Sequence, residues 1–245
     1  MKYWEEKHSK KCFDHMKILN LFSGIGGNRM LWGSHHHIVA VELNESIANY
    51  YKKIFPEDVV VVGDAYDYLE KHFTEFDFIW ASPPCQSHTV LSKLRTGRAY
   101  NKTYTNDIIK IPDMRLYGMI IFLNHLFRGD WVVENVRPYY EPIIKPTSMI
   151  GRHYIWSNVP IPSVKYASKI HLNSWKEESN KKGIYTPQLN DYKFDIRKDV
   201  VIHNCVNANI GKYILDFIVD FRNRKCKSCK NKGSEQEYAL GKRMF

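Results

Sequence analysis

The chain has 245 residues, with 36 Lys+Arg against 26 Asp+Glu, a net charge of +10, and 44% AVILMFWYC. That length allows one large domain, or one domain with a small satellite, and enough apolar residue to bury a core, while the basic surplus favours a polyanionic partner such as nucleic acid. No apolar run reaches the length of a membrane span, the first residues lack an apolar signal core, and five cysteines, of which only Cys226 and Cys229 are close together, speak against a disulfide framework and for a reducing compartment.

Residues 1–16 read as a polar leader. Residues 17–22 (KILNLF) form a short strand that runs into Ser23-Gly24-Ile25-Gly26-Gly27, and the pattern predicts a strand, a glycine-rich turn and a helical start. A second strand is expected at 37–41, ending at Glu42, and a helix at 44–55 with Pro56 as its stop. Further strands follow at 59–62 before Gly63-Asp64, at 76–81 before Ser82-Pro83-Pro84-Cys85-Gln86, and at 131–133 before Glu134-Asn135, with a helix at 114–127. Strands alternating with helices imply an α/β fold: a mostly parallel sheet with helices on both faces. Ligands of such sheets sit beyond the carboxyl ends of the strands, where the glycine turn, Glu42, Asp64, Cys85 and Glu134 all converge.

Residues 159–200 change character, mixing lysines with Tyr166, Trp175, Tyr185, Tyr192 and Phe194 without a clean period. Apolar residues from Ile210 to Phe221 then return at helical spacing, and 222–232 carry six basic residues and no acid.

The candidate residues have chemical reasons to matter. Gly24, Gly26 and Gly27 allow positive φ and close approach of a ligand to the backbone. A helix N-terminus behind them offers free N–H groups. An acid at the next strand end, Glu42, can accept bonds from a ribose diol, and Asp64 can either receive an adenine amino group or cap a helix. Two prolines stiffen the chain before Cys85, whose thiol is either a small buried hydrophobe or a nucleophile beside the carboxyl of Glu134. His35-His36-His37 and Cys226/Cys229 do not complete a metal-ligand set, and no metal is expected.

This combination resembles the cytosine-C5 DNA methyltransferase family of bacterial and phage type. The resemblance rests on LNLFSGIGG (19–27), Val41-Glu42, Gly63-Asp64, SPPCQ (82–86) and Glu134-Asn135-Val136, in that order. It is extended by Asp113-Met114-Arg115, by residues 151–156 and by Asn204-Cys205-Val206. It implies a Rossmann-like S-adenosylmethionine-dependent methyltransferase fold with a core over 17–158. A small target-recognition region over 159–200, a segment over 201–221 returning to the core and a basic tail over 222–245 complete the layout.

The family mechanism maps Cys85 to nucleophile, Glu134 to the group that engages ring nitrogen 3, and Arg152 to the base carbonyl. S-adenosylmethionine, leaving as S-adenosylhomocysteine, is expected against Phe22, Ser23, Gly24, Gly26, Gly27, Glu42, Leu43, Asp64, Ala65, Pro83, Asn204 and Cys205. Double-stranded DNA is expected against Gln86, Ser87, Lys93, Arg95, Arg98, Lys165, Lys169, Lys181 and Lys182. The resemblance is further consistent with a monomeric cytoplasmic enzyme and leaves open whether a cognate restriction endonuclease is its partner. A tRNA cytosine methyltransferase and a catalytically silent nucleic-acid-binding module are the alternatives. Three departures stand out: Ile150 where the family has a first arginine, Cys205 for serine with His203 for glycine, and a short reader.

Overall fold

The computed structural model describes residues 15–89, 111–165 and 174–230. A seven-stranded sheet in the order β3-β2-β1-β4-β5-β7-β6 organises them. Its strands are β1 (Lys17–Leu21), β2 (His37–Glu42), β3 (Val59–Val62), β4 (Phe78–Ala81), β5 (Asp130–Val136), β6 (Ser148–Ile150) and β7 (His153–Ser157). The first five strands pair in parallel, and β7 runs antiparallel to both β5 and β6. This is the mostly parallel sheet that the resemblance implies.

Around the sheet lie α1 (Glu45–Ile54), α2 (Ala65–His72), α3 (Arg115–Leu126), α4 (Trp175–Lys182), α5 (Gln188–Asp191), α6 (Lys198–His203) and α7 (Ala208–Lys230). Among the described residues no helix is long and apolar enough to cross a membrane.

Strand residues alternate between two buried faces because successive side chains point to opposite sides. Leu19, Leu21, Ile79, Ala81 and Val133 pack with Leu69 of α2 and with Leu116, Ile120 and Leu123 of α3. Ile18, Phe78, Trp80 and Val132 pack with Ile210, Ile214 and Ile218 of α7. Asn20 falls on the second face, and its buried amide is satisfied by a reciprocal pair of hydrogen bonds with Asn28 (3.3 and 2.8 Å).

Several expectations shift in detail. Met16, expected in the leader, is 1% exposed and belongs to the α7-side core. The fifth strand does not end before Glu134, because pairing with β7 extends it to Val136 and buries Glu134 and Asn135 within it. Residues 151–156 are not one strand: Gly151, with φ +61°, turns the chain between β6 and β7, and Arg152 sits in that turn. The helix expected at 210–221 starts at Ala208 and continues to Lys230, so the basic stretch from Arg222 begins as helix, and Arg222 pairs with Asp130.

Segment 159–200 is fastened at both ends. Val159 and Ile161 enter the α7-side core. Ile184 and Leu189 pack with Ile47 and Tyr50 of α1, with Ile25 of the glycine turn and with Val201 and Ile202. Asp195 accepts hydrogen bonds from Asn44 (3.0 Å) and Ser46 (2.6 Å) at the start of α1.

Helix α7 touches the turn after β1 backbone to backbone. A Cβ at Gly211 would lie 2.1 Å from the carbonyl oxygen of Asn28. Gly211→Ala should therefore destabilise the fold by about 1–3 kcal/mol through overpacking. A urea unfolding curve with an unchanged midpoint would contradict this backbone contact.

Candidate active site

The strand register gathers the candidate residues on one edge. Leu21 pairs with Val41 on one side and Ala81 on the other, and Ala81 pairs with Val133. Phe22, Glu42, Ser82 and Glu134 are the next residues of four adjacent parallel strands, so they come to one level.

The glycine turn is built by unusual backbone conformations. Phe22 (φ +55°), Gly24 (+54°) and Gly26 (+81°) all lie in the left-handed region, which side chains with a Cβ rarely adopt. At Gly26 a Cβ would stand 2.5 Å from the Phe55 ring, and at Gly27 it would stand 2.4 Å from the Val206 carbonyl oxygen. The turn is thus pressed from behind by α1 and from the side by the late segment.

Arg29, just past the turn, forms a bidentate ion pair with Asp58 (2.9 and 3.1 Å), and Tyr51 donates to the same carboxylate at 2.8 Å. All three are buried, which secures the 3₁₀ turn at Asn28–Leu31 to the end of α1.

Glu42 closes this turn from the front. Its two carboxylate oxygens accept from the Gly24 N–H and the Asn44 N–H, each at 2.9 Å. Burial pushes its pKa up, and the backbone N–H groups of Asn44, Gly24 and Leu43 oppose that rise. Three N–H donors leave part of the carboxylate's accepting capacity free for a ligand hydroxyl. Leu43 beside it is 70% exposed, an open apolar face. Ser23 is buried, and its hydroxyl has no partner among the described residues.

Asp64 serves as the helix cap of α2: its Oδ1 accepts from the N–H groups of Tyr66 (2.7 Å) and Asp67 (3.2 Å). That leaves Oδ2 as the oxygen that can receive a ligand amino group. Ala65 is buried in the first turn of the same helix.

A cradle of left-handed glycines, an orphaned buried hydroxyl, an acid at the second strand end and an open apolar side chain fit a nucleoside-bearing cofactor such as S-adenosylmethionine. Cys205 lies against this cradle, its Sγ 4.0 Å from a Cβ built at Gly24. Its thiol donates to the Val201 carbonyl (3.2 Å), and burial pushes its pKa up to about 11. Asn204, next to it, is exposed at the end of α6.

Cys85 is held where the loop after β4 meets β5. The Asn135 amide donates to the Pro83 carbonyl (2.9 Å), and the His88 and Thr89 N–H groups bond the Cys85 carbonyl at 2.9 and 3.0 Å. Burial raises the Cys85 pKa first, the nearby Glu134 charge raises it further, and its own N–H and Lys182 oppose the rise.

Glu134 is buried and bonds the His153 Nδ1 across the β5–β7 pair. Burial works against its charge. The net direction is nevertheless downward, because His153 by charge and hydrogen bond, the Ser82 hydroxyl and Lys182 favour the carboxylate. Arg152 is exposed in the adjoining turn, and Ile150 is 2% exposed in the core, where an arginine would be buried in apolar surroundings.

Two residues expected on the DNA side are turned inward. The Ser87 hydroxyl accepts from the Asp113 N–H (3.0 Å) and is buried. The Lys182 ammonium bonds the carbonyls of Ile202, His203 and Cys205 at 2.8–2.9 Å and pairs with Glu178 at 3.1 Å. Burying a lysine among carbonyls is a structural use of its charge, and it shapes the turn that carries Cys205.

Gln86, Lys165 and Lys181 are exposed, while Lys93, Arg95, Arg98 and Lys169 lie outside the described residues. Among the described residues no group of three metal-ligating side chains occurs. His153, Asn135 and Lys182 in its actual role escaped the sequence reading. Asn135 lay in the quoted Glu-Asn-Val motif, whereas His153 had no signal except its place after a turn.

Residues 16–113 match the family described as C-5 cytosine-specific DNA methylase, a stretch that includes the glycine turn, Glu42, Asp64 and Cys85. No curated protein matches the chain. Solved structures similar to it include the methyltransferase EhMeth of Entamoeba histolytica, at 12% identity over 86% of this chain and 99% of that one, with a TM-score of 0.46. A SAM-dependent methyltransferase from Agrobacterium tumefaciens is 13% identical over 57% of this chain and 43% of that one, with a TM-score of 0.36.

Two outcomes follow from the local electrostatics. At neutral pH iodoacetamide should alkylate both Cys85 and Cys205 more slowly than a free cysteine, and Cys205 least, because only the thiolate reacts. Peptide mass spectrometry reads the rates; a fast Cys205 would contradict its burial. The lowered pKa of Glu134 contributes stability above the usual carboxylate range, and that contribution is lost as pH falls through the folded value. Glu134→Gln should therefore flatten the acid limb of a melting-temperature–pH curve, and an unchanged limb would show that the His153 pair adds nothing.

Proposed function

We propose that the chain is a DNA (cytosine-5-)-methyltransferase that flips a cytosine out of duplex DNA and produces 5-methylcytosine within a specific sequence. The observation that carries this reading is the placing of Cys85, just after β4, and Glu134, on the neighbouring β5, along the sheet edge that bears the glycine cradle, in a chain whose residues 16–113 match the C-5 cytosine-specific DNA methylases. The target carbon is inaccessible in a stacked duplex, so the base must leave the stack.

The Cys85 thiolate adds to carbon 6 of the cytosine. Glu134 engages ring nitrogen 3 and the exocyclic amine, and the proton shared at nitrogen 3 makes the ring electrophilic. Arg152, exposed in the β6–β7 turn, binds the base carbonyl and stabilises charge that develops on it. Electron density then gathers on carbon 5. S-adenosylmethionine, when bound, supplies the methyl group that carbon 5 takes. A water takes the carbon 5 proton, its bonding pair forms the carbon 5–carbon 6 double bond and expels the Cys85 thiolate, and nitrogen 3 returns its proton to the Glu134 carboxyl, which restores the aromatic ring.

The cofactor would be held by Phe22, Ser23 and the glycines 24, 26 and 27, with the Glu42 carboxylate on its ribose and Leu43 beside it. Asp64 Oδ2 would take the adenine amino group over Ala65, and Pro83, Asn204 and Cys205 would flank the methionine end. Gln86, Lys165 and Lys181, exposed on the surface, would meet the DNA, with lysines contacting phosphates that position the duplex.

The test is methyl transfer from labelled S-adenosylmethionine to duplex DNA, with bisulfite sequencing to find the modified cytosines. Cys85→Ala should lower the rate at least about a thousandfold. DNA containing 5-fluorocytosine should form a covalent adduct with the wild type and none with Cys85→Ala. Undiminished methylation by the alanine variant would overturn the mechanism.

A further inference from the structure

The carboxyl of Glu134 presents a chemical difficulty. Nitrogen 3 of the base needs a proton, yet the surroundings of Glu134 favour its carboxylate form. A carboxylate can accept from an exocyclic amine but has no proton to lend. The proton must be stored next to it.

His153 is the group in place. It is the first residue of β7, directly after the Gly151-Arg152 turn. The antiparallel register sets Glu134 opposite Ile155 and Val136 opposite His153. Residues two apart on a strand share a face, so the imidazole lies diagonally across from the carboxyl and reaches it. The contact is Nδ1 to Oε1, with the glutamate side chain 6% exposed and the histidine 29% exposed. The pair therefore has a buried side and an open side.

Among the described residues, the other groups acting on Glu134 are the Ser82 hydroxyl at the end of β4 and the Lys182 ammonium on α4, and the Cys85 thiol feels the same two charges of Glu134 and Lys182. Lys182 is committed to three carbonyls and to Glu178. Of these groups the imidazole is the one whose ring nitrogen bonds the carboxyl and can carry an exchangeable proton.

We propose that His153 is the positioning residue for Glu134 and that the two side chains together hold the proton lent to nitrogen 3 of the cytosine. This rests on the methyltransferase reading above. In the resting pair the proton is on Nδ1, as imidazolium against carboxylate. When the base docks, the Nδ1–H bond breaks, the carboxyl carries the proton across and an N3–H bond forms, leaving neutral imidazole. When Cys85 is expelled the proton returns along the same path. No outside acid enters the balance. A permanently charged arginine could hold the carboxylate in place but could not release a proton to it.

The experiment measures kcat for DNA methylation against pH in the wild type, His153→Ala, His153→Gln and His153→Arg, together with proton NMR of the imidazole. The wild-type rate should fall on the alkaline side as the imidazolium is lost. His153→Ala should lower kcat on the order of a hundredfold with the KM for S-adenosylmethionine unchanged. Neither His153→Gln nor His153→Arg should show the wild-type alkaline limb, and His153→Gln replaces the alanine variant if that one does not fold. The wild type should show a far-downfield Nδ1–H resonance that Glu134→Gln abolishes.

A residue with a merely structural role would lower kcat equally at every pH, and variants with the wild-type profile would overturn the proposal. Absence of the downfield resonance in the wild type would overturn the pair whatever the activity. A wild type with the resonance but no methyl transfer to any DNA would overturn the functional reading, and the lending step with it, while leaving the pair itself intact.

Discussion

The constraint on which the structure depends is the common level at which the parallel pairing of four strands stops. β1 pairs with β2 and β4, and β4 with β5, in registers that align Leu21, Val41, Ala81 and Val133. A shift of one residue in any pairing would turn alternate side chains to the opposite face and exchange core for polar residues. The registers are held because both faces are apolar, one covered by α2 and α3 and the other by α7. Everything chemical lies just beyond that line. The glycine turn, Glu42, the prolines before Cys85 and Glu134 are neighbours in space because the parallel pairing of these strands stops at one level.

The edge is then stiffened by bonds that have nothing to do with a reaction. Glu42 ties the glycine turn to the start of α1, while Arg29, Tyr51 and Asp58 tie the following turn to its end. Asn135 ties the proline loop to β5. Lys182 shapes the turn that brings Cys205 against Gly24 and Gly27. Apart from the Arg29–Asp58–Tyr51 cluster, whose partners are side chains, each is a polar side chain bonded to backbone, and all of them fix loop geometry where apolar packing alone would not.

Much of this was legible in the sequence, for reasons that can be stated residue by residue. Gly24, Glu42 and Cys85 announced themselves because their chemistry is local: a turn that needs positive φ, an acid after a strand, a thiol after two prolines. β1 to β4 were read from short apolar runs with breakers after them. What escaped depends on pairings between distant segments. The sequence alone sets Glu134 past the end of β5, because nothing in residues 131–136 reveals that β7 will pair as far as Val136. His153 was missed for the same reason, since its meeting with Glu134 exists only once the antiparallel register does. Lys182 and Ser87 looked like surface polar residues until tertiary partners claimed them. The basic run from Arg222 hid a helix because charge masked its continuity, although Arg222 itself is turned back to Asp130.

The contact of Val206 with Gly27 and of Gly211 with Asn28 sets a timetable for the molecule. The glycine turn is made near the start of the chain, yet the groups that press it into shape arrive near the other end. During synthesis most of the parallel sheet can leave the ribosome before its ligand cradle has a wall. Such long-range closure carries a high entropic cost and comes late in folding. The finished shape of the glycine turn is thus coupled to synthesis as far as Val206 and Gly211, so that a nascent fragment carrying Cys85 presents its thiol before the turn beside it is complete.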